Sequence, residues 1–251
     1  GKGWRSGATI ERKEIPQWFI KISDYSERLL KDIDKLTDWP ESVKLMQKNW
    51  IGKSVGLHVD FKYKETSQVF RAFTTRPDTL YGVTYLAISI NHPFAKKISN
   101  NNAVIKDFIE KYKTVKLSEE SSSKLEKDGV FTGKYCVHPI SKKEIPIWIA
   151  NYVLDSYGTG VVMGVPAHDS RDYEFASLFK LPILQVITGK SDDVLPFIKD
   201  GIMINSDEHN GLKSEDAKIK ITQICKENNF GEEATAFRLR DWGISRQRYW
   251  G

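Results

Sequence analysis

The chain mixes two hydrophobic periods in an irregular order, and that mixture limits the folds open to it. Val55–Tyr63 and Gln68–Thr74 alternate apolar and polar residues around a turn-like stretch, which predicts a β-hairpin. Thr84–Ile90 predicts a further strand. Tyr135–His138 and Ile145–Val153, separated by Ser141-Lys142-Lys143, predict a second hairpin, and Gly160–Val165 and Ile183–Ile187 read as apolar strands. Between them lie helical patterns. Leu29, Leu30, Ile33 and Leu36 follow the N-cap candidates Ser23 and Asp24, and a short helix covers Val43–Asn49 after Trp39-Pro40. Phe94–Ile98, Ala103–Tyr112, Ser118–Lys127, Asp169–Phe179 and Asp216–Asn228 also read as helices, whereas residues 1–22 read as short extended segments. The regular βαβ beat of a doubly wound sheet is missing. The expected fold is mixed α/β, with a barrel-like β core and peripheral helices.

Composition narrows the function classes. The 251 residues are 40% hydrophobic and 12% aromatic, enough to bury a sizeable core. A net charge of +5 is compatible with a phosphate-bearing partner without requiring one. Cys136 and Cys225 form no C-x-x-C pair, and His58, His92, His138, His168 and His209 lack i, i+4 spacing, so no metal site is expected. No apolar run reaches the roughly 18 residues of a membrane span. The polar N-terminus carries no signal-peptide pattern, so a cytoplasmic protein is expected. An opening of Gly1-Lys2-Gly3-Trp4 without Met, and an end at Arg248-Tyr249-Trp250-Gly251, point to a piece of a longer protein.

Two clusters could carry chemistry. In Phe73-Thr74-Thr75-Arg76-Pro77-Asp78-Thr79, the residue before proline is pushed toward extended conformations, so Arg76 ends the strand. Pro77 suits the first position of a helix and Asp78 its first turn. Such a turn, with its hydroxyls, guanidinium and helix-start N–H groups, suits a phosphate or ribose. The plainer reading makes the threonines strand and cap residues and Arg76 a surface charge. The second cluster runs from Gly158-Thr159-Gly160 through Met163-Gly164-Val165-Pro166-Ala167-His168-Asp169-Ser170-Arg171-Asp172. Its small residues permit close backbone approach. Asp169 is a natural N-cap, and Asp172 either reaches back toward that cap or points into a cleft to hold a cation. His168 reads as a general base or as a hydrogen-bonded structural residue. Neither a P-loop nor a G-x-S-x-G elbow is present, so attack by water is the simpler chemistry.

Together the clusters resemble a known family. Thr74-Thr75-Arg76-Pro77-Asp78-Thr79 resembles the threonine-rich peptide of the editing insertion in leucyl-, isoleucyl- and valyl-tRNA synthetases. Gly158 through Ala176 is similar to the second editing motif, and Met163, Val165-Pro166 and Arg171-Asp172-Tyr173-Glu174-Phe175-Ala176 look like the leucine enzyme. Flanking stretches, Glu11–Phe19, Met46–Gly52 and Arg238–Gly251, resemble the segments that enter and leave that insertion. The resemblance implies a class I synthetase editing-domain fold: a connecting segment over 1–48, the editing domain over 49–235 and a return strand over 236–251. It implies hydrolysis of the ester on tRNA(Leu) mischarged with isoleucine, norvaline or methionine.

The resemblance also implies roles. Asp172 pairs with the substrate α-ammonium. Thr74, Thr75 and Arg76 hold the terminal ribose, its phosphate and the developing oxyanion or water. Thr79 crowds out leucine, Met163 and Val165 line the side-chain pocket, Tyr157 borders the adenine, and Asp169 and His168 lie beside the substrate. HIGH-type and KMSKS-type signatures are missing, so ATP and Mg belong to a synthetic site elsewhere in the parent enzyme. Editing itself needs no metal or cofactor. The expected ligands are the tRNA(Leu) 3′ end, the non-cognate aminoacyl ester and terminal-adenosine analogues, bound by a monomer. A tRNA-binding module without chemistry is the competing reading.

Overall fold

The computed structural model describes residues 3–8, 16–112, 126–154, 159–189 and 194–244. The chain divides into two compact units, one spanning Gly56–Ala234 and the other made of Lys2–Val55 and Thr235–Gly251. In the smaller unit, strand β1 (Phe19–Ile20) pairs antiparallel with β11 (Trp242–Gly243). Helices α1 (Ser26–Ile33) and α2 (Glu41–Ile51) bury Ile33 and Ile51 against Leu239. The helix expected from Ser23 starts three residues later, because Ile22–Tyr25 forms a 3-10 turn first. Residues 9–15, 113–125 and 245–251 lie outside the described residues, and with them the expected first extended segment and most of the expected helix over 118–127.

The larger unit is built on a mixed seven-stranded sheet. Its strands are β2 (Lys53–Tyr63), β3 (Val69–Thr74), β4 (Tyr85–Ile88), β5 (Gly129–Val137), β6 (Glu144–Ala150), β7 (Val161–Gly164) and β10 (Gly231–Phe237). The hydrogen-bonded path runs β10-β2-β5-β6-β4-β7, with β3 paired to β2 alone. All pairs with a defined register are antiparallel except β4 with β6. Both predicted hairpins form, β2–β3 with Leu57 opposite Thr74 and β5–β6 with Cys136 opposite Ile145. The mixed α/β class holds. A closed barrel does not form among the described residues, because β3 and β7 come within 8 Å of one another without a ladder between them. Among the described residues the Thr159 hydroxyl donates across that seam to the Arg71 carbonyl.

Around the sheet lie α3 (Pro93–Ser99), α4 (Ala103–Tyr112), α5 (Ser170–Phe179) and α6 (Ser214–Glu227), with the short pair β8 (Ile187–Thr188) and β9 (Ile202–Met203). The strand expected over 183–187 shrinks to its last residue, since 181–186 runs without ladder pairing. Period-two alternation sets the layers. Leu57, Val59, Phe61 and Tyr63 of β2 meet Phe70 and Ala72 of β3 in the main core. Strand β4 is buried on both faces: Leu86 and Ile88 enter that main core, while Tyr85 and Ala87 join Tyr152, Phe175 and Ala176 beneath α5.

Phe175 anchors α5 to the sheet. Its ring stacks on Tyr85 at 5.2 Å between centroids and meets Trp148 edge-on at 5.6 Å. Glycines make the room. A Cβ on Gly164 would sit 2.2 Å from the Tyr85 ring, so the close approach of β7 to β4 requires a residue without one. Gly160 takes a φ of +70° as the chain enters β7, a conformation that L side chains rarely adopt. Gly164→Ala should therefore destabilise the fold by about 1–3 kcal/mol, the usual cost of overpacking, read as a lower urea midpoint.

Candidate active site

The threonine cluster and the second motif meet across the seam between β3 and β7. Alternation carries Phe70, Ala72 and Thr74 to the inner face of β3, so Thr74 is buried and Thr75, one residue on, is exposed. The chain then turns into a 3-10 helix, Pro77–Gly82, where an α-helix start was expected. On the other side, β7 delivers Val162 and Met163, the following turn delivers Val165 and His168, and the start of α5, with its cap, delivers Asp169, Arg171 and Asp172. With Phe73, Thr74, Thr75, Arg76 and Thr79 they line a cleft of about 240 Å³. Every predicted site residue lies here except Tyr157, which falls outside the described residues.

The turn is braced from within. Arg76 donates from Nε (3.0 Å) and Nη2 (2.9 Å) to the two carboxylate oxygens of Asp78, and from Nη1 to the Ile198 carbonyl (3.0 Å). Asp78 is fully buried. A fork-to-fork pair of this kind fixes geometry as well as charge. Arg76 thus faces the cleft with its guanidinium held in place by Asp78 and the Ile198 carbonyl. The Arg76 N–H donates to Thr74 Oγ1 at 2.9 Å, and Thr79 Oγ1 donates to the Arg76 carbonyl at 2.8 Å. Thr74 therefore keeps its own hydroxyl proton, while the Thr79 hydroxyl is spent on the backbone and its rotamer is fixed.

The two readings of Asp172 are separated by geometry. Asp169 alone caps α5, accepting from the N–H groups of Arg171 (2.8 Å) and Asp172 (3.2 Å). Asp172 turns the other way. Its Oδ2 accepts the Val165 N–H at 2.9 Å, and its Oδ1 accepts from the Tyr85 and Tyr152 hydroxyls at 3.2 and 3.3 Å. The residue is 3% exposed yet lines the cleft. Burial, followed by the nearby Asp169 charge, pushes its pKa up to about 7, against the pull of the Val165 N–H, Arg171 and Tyr85.

His168 has no free ring nitrogen for base catalysis. Nδ1 donates to the Phe197 carbonyl at 2.8 Å, and Nε2 accepts the N–H groups of Val186 and Ile187 at 3.0 and 3.3 Å. Burial holds its pKa below the usual imidazole value, keeping the ring neutral. It pins three backbone segments together beneath the cleft. Sequence reasoning missed Asp78 as the partner of Arg76, and Arg171, Phe73 and Val162 as lining residues. It also missed Tyr85 and Tyr152. A tyrosine heading the otherwise apolar run Tyr85-Leu86-Ala87-Ile88 was the available signal, since a buried phenol needs a partner. Among the described residues no group of three or more His, Cys, Asp or Glu is arranged to hold a metal. Nor is any helix among them long and apolar enough to cross a membrane.

The cleft sets threonine hydroxyls against a buried acid within a mixed α/β domain. Comparison with known proteins gives the particular family. Residues 48–226 match the family described as leucyl-tRNA synthetase, editing domain. The whole chain is 51% identical to part of a leucine–tRNA ligase from Hydrogenovibrio crunogenus, and 52% identical to part of one from Vesicomyosocius okutanii, covering 30% and 31% of those proteins. It also superposes, with a TM-score of 0.77 and 39% identity, on 29% of a leucyl-tRNA synthetase from Agrobacterium radiobacter K84 solved in a ternary complex with tRNA and LeuAMS. The chain belongs to the leucyl-tRNA synthetase editing-domain family, and it spans about a third of the length of these relatives.

The raised pKa of Asp172 sets a sign for stability. A carboxyl whose folded-state pKa lies above its unfolded value favours the fold at low pH, and that contribution is lost as pH rises from about 4 toward about 7. Asp172→Asn removes this loss. Its melting temperature relative to the parent should therefore rise between pH 5 and pH 8, as followed by thermal melts in matched buffers.

Proposed function

We propose that this chain is the proofreading module of a leucine–tRNA ligase and hydrolyses the ester of tRNA(Leu) carrying isoleucine, norvaline or methionine. The observation that carries the reading is the buried Asp172 carboxylate on one wall of the cleft, opposite the threonine turn. An aminoacyl ester brings an α-ammonium, a side chain and a terminal ribose. Asp172 takes the ammonium. Met163 and Val165 take the apolar side chain. Thr74, whose hydroxyl proton is uncommitted, and the exposed Thr75 take the ribose and the developing oxyanion, with Arg76 shaping their turn. Asp169 keeps Asp172 in place by capping α5, and His168 supports the cleft from below. Tyr157 borders the adenine.

Water is the nucleophile, and neither metal nor cofactor is needed at this site. The segment 49–235 carries the hydrolysis, while 1–48 and 236–251 lead to and from the body of the ligase, a cytoplasmic monomer. That body holds ATP and Mg at a separate synthetic site. A hydrophobic pocket separates substrates differing by one methylene by only about 1–3 kcal/mol, so a second, differently shaped pocket is needed to clear close analogues. Thr79 supplies the shape here. With its hydroxyl bonded to the Arg76 carbonyl it cannot rotate away, and it blocks the γ-branched leucine side chain.

Two outcomes are expected in deacylation assays of the intact ligase. Asp172→Ala should lose hydrolysis of Ile-tRNA(Leu) by a factor of about 100 or more, the scale for one lost charge-assisted contact in a dry site. Undiminished hydrolysis would remove the ammonium role. Thr79→Ala should begin to hydrolyse correctly charged Leu-tRNA(Leu), gaining about tenfold or more. If leucine is still spared, the steric gate lies on another residue.

A further inference from the structure

Three groups below the cleft form a closed triangle. Tyr85 Oη and Tyr152 Oη lie 2.7 Å apart, and each lies within 3.3 Å of the same Asp172 oxygen, Oδ1. Two phenols supply two protons to three contacts. With Asp172 ionised, one edge of the triangle has no hydrogen to fill it. With Asp172 protonated on Oδ1, three protons fill three edges, and each oxygen donates once and accepts once. The second carboxylate oxygen is meanwhile held by the Val165 N–H in either state.

The geometry points to a proton-exchange ring, in which the buried Asp172 holds a proton while the cleft is empty and the Tyr85 and Tyr152 phenols, by donating to its carboxylate, let it surrender that proton when a cationic substrate arrives. The two tyrosines are positioning residues that set the pH below which the cleft stops accepting substrate. This inference rests on Asp172 being the ammonium anchor. The exchange balances: the neutral carboxyl and the substrate ammonium give a carboxylate–ammonium pair, and one proton leaves to solvent. The phenols themselves stay protonated, because burial pushes both their pKa values well up.

The charged and titratable surroundings agree. On and beside α5 stand Asp169, which favours protonation of Asp172, and Arg171, which opposes it. Strand β4 contributes Tyr85, and the segment after β6 contributes Tyr152, whose ring has the Lys127 amine 5.8 Å from its centre. Across the cleft the Arg76–Asp78 pair is internally neutralised, and His168 is held neutral by backbone on both nitrogens. A pKa pushed up to about 7 places the exchange near neutral pH.

The test uses the intact ligase and the pH profile of Ile-tRNA(Leu) deacylation, corrected for spontaneous hydrolysis. Each phenol donates to the carboxylate, so removing one leaves the ionised form less supported. Tyr85→Phe and Tyr152→Phe should each move the acid limb up by about one pH unit, a loss of about tenfold on that limb. The rate above pH 8 should stay within about twofold of the parent, because the ring packing on Phe175 is kept. The alkaline limb, set by the substrate ammonium, stays where it is. A role in packing alone would lower the rate equally at every pH, and that result overturns the ring. A second measurement needs no variant. Titration calorimetry with an amide-linked aminoacyl-adenosine, in buffers of different ionisation enthalpy, should show close to one proton released at pH 6 and a net uptake at pH 8.5, where the ligand α-amino group (pKa about 7.7–8.0) must be protonated to pair. No release at pH 6 overturns the storage role. Asp172→Asn separates this inference from the one beneath it. Full activity in Asp172→Asn overturns the anchor and the ring together. Lost activity there with unmoved acid limbs in both phenylalanine variants overturns the ring alone.

Discussion

Burying one carboxylate dictates much of what surrounds it. An isolated charge in an apolar interior costs several kcal/mol unless hydrogen bonds replace its water. Asp172 meets part of that demand from three directions: a strand-end N–H at Val165, a phenol from β4 and a phenol from beyond β6. Those partners come together only if α5 lies flat against β4 and β6, which Phe175 secures by stacking on Tyr85. Gly164 must then lack a side chain, since Tyr85 occupies the space. The polar demand of the site and the apolar packing of the helix thus rest on the same aromatic residue.

The sequence revealed the local elements well and the tertiary partnerships poorly. The hairpins β2–β3 and β5–β6, the helix α4 and the helix α5 follow from period and capping signals, all of which act over a few residues. Asp169 as N-cap was legible for the same reason. The destination of Asp172 was not, because a capping box and a cleft carboxylate share the same i+3 spacing. Only the distant Tyr85 and Tyr152 decide between them. Arg76 shows the same limit. Its neighbour Asp78 was visible as a helix-start acid, but the carbonyl that holds the other end of the guanidinium, Ile198, lies more than a hundred residues away. Barrel closure was equally unreadable, since it turns on how near two strands far apart in the chain approach.

The cleft divides its labour between fixed and exchangeable groups. Arg76, Asp78, Thr79 and His168 have their polar atoms spoken for by protein partners, so they hold shape. Asp172, Thr74 and the exposed Thr75 keep capacity to spare. In a site meant to reject a substrate by its size, rigid walls matter more than extra contacts, because a wall that yields by a methyl group loses the discrimination of about 1–3 kcal/mol it exists to provide.

The unzipped seam between β3 and β7 has a consequence for the behaviour of the protein in a crowded cell. Open strand edges are templates for pairing with other chains, and proteins commonly blunt them with charge, proline or covering loops. Here each edge is shielded by the other. Slipping a foreign strand between them would need two ladder spacings, about 9–10 Å, whereas parts of β3 and β7 approach within 8 Å. Where β3 and β7 approach this closely there is no room for a third strand, so the fold lines a cleft with two free edges without offering that stretch of either one to aggregation.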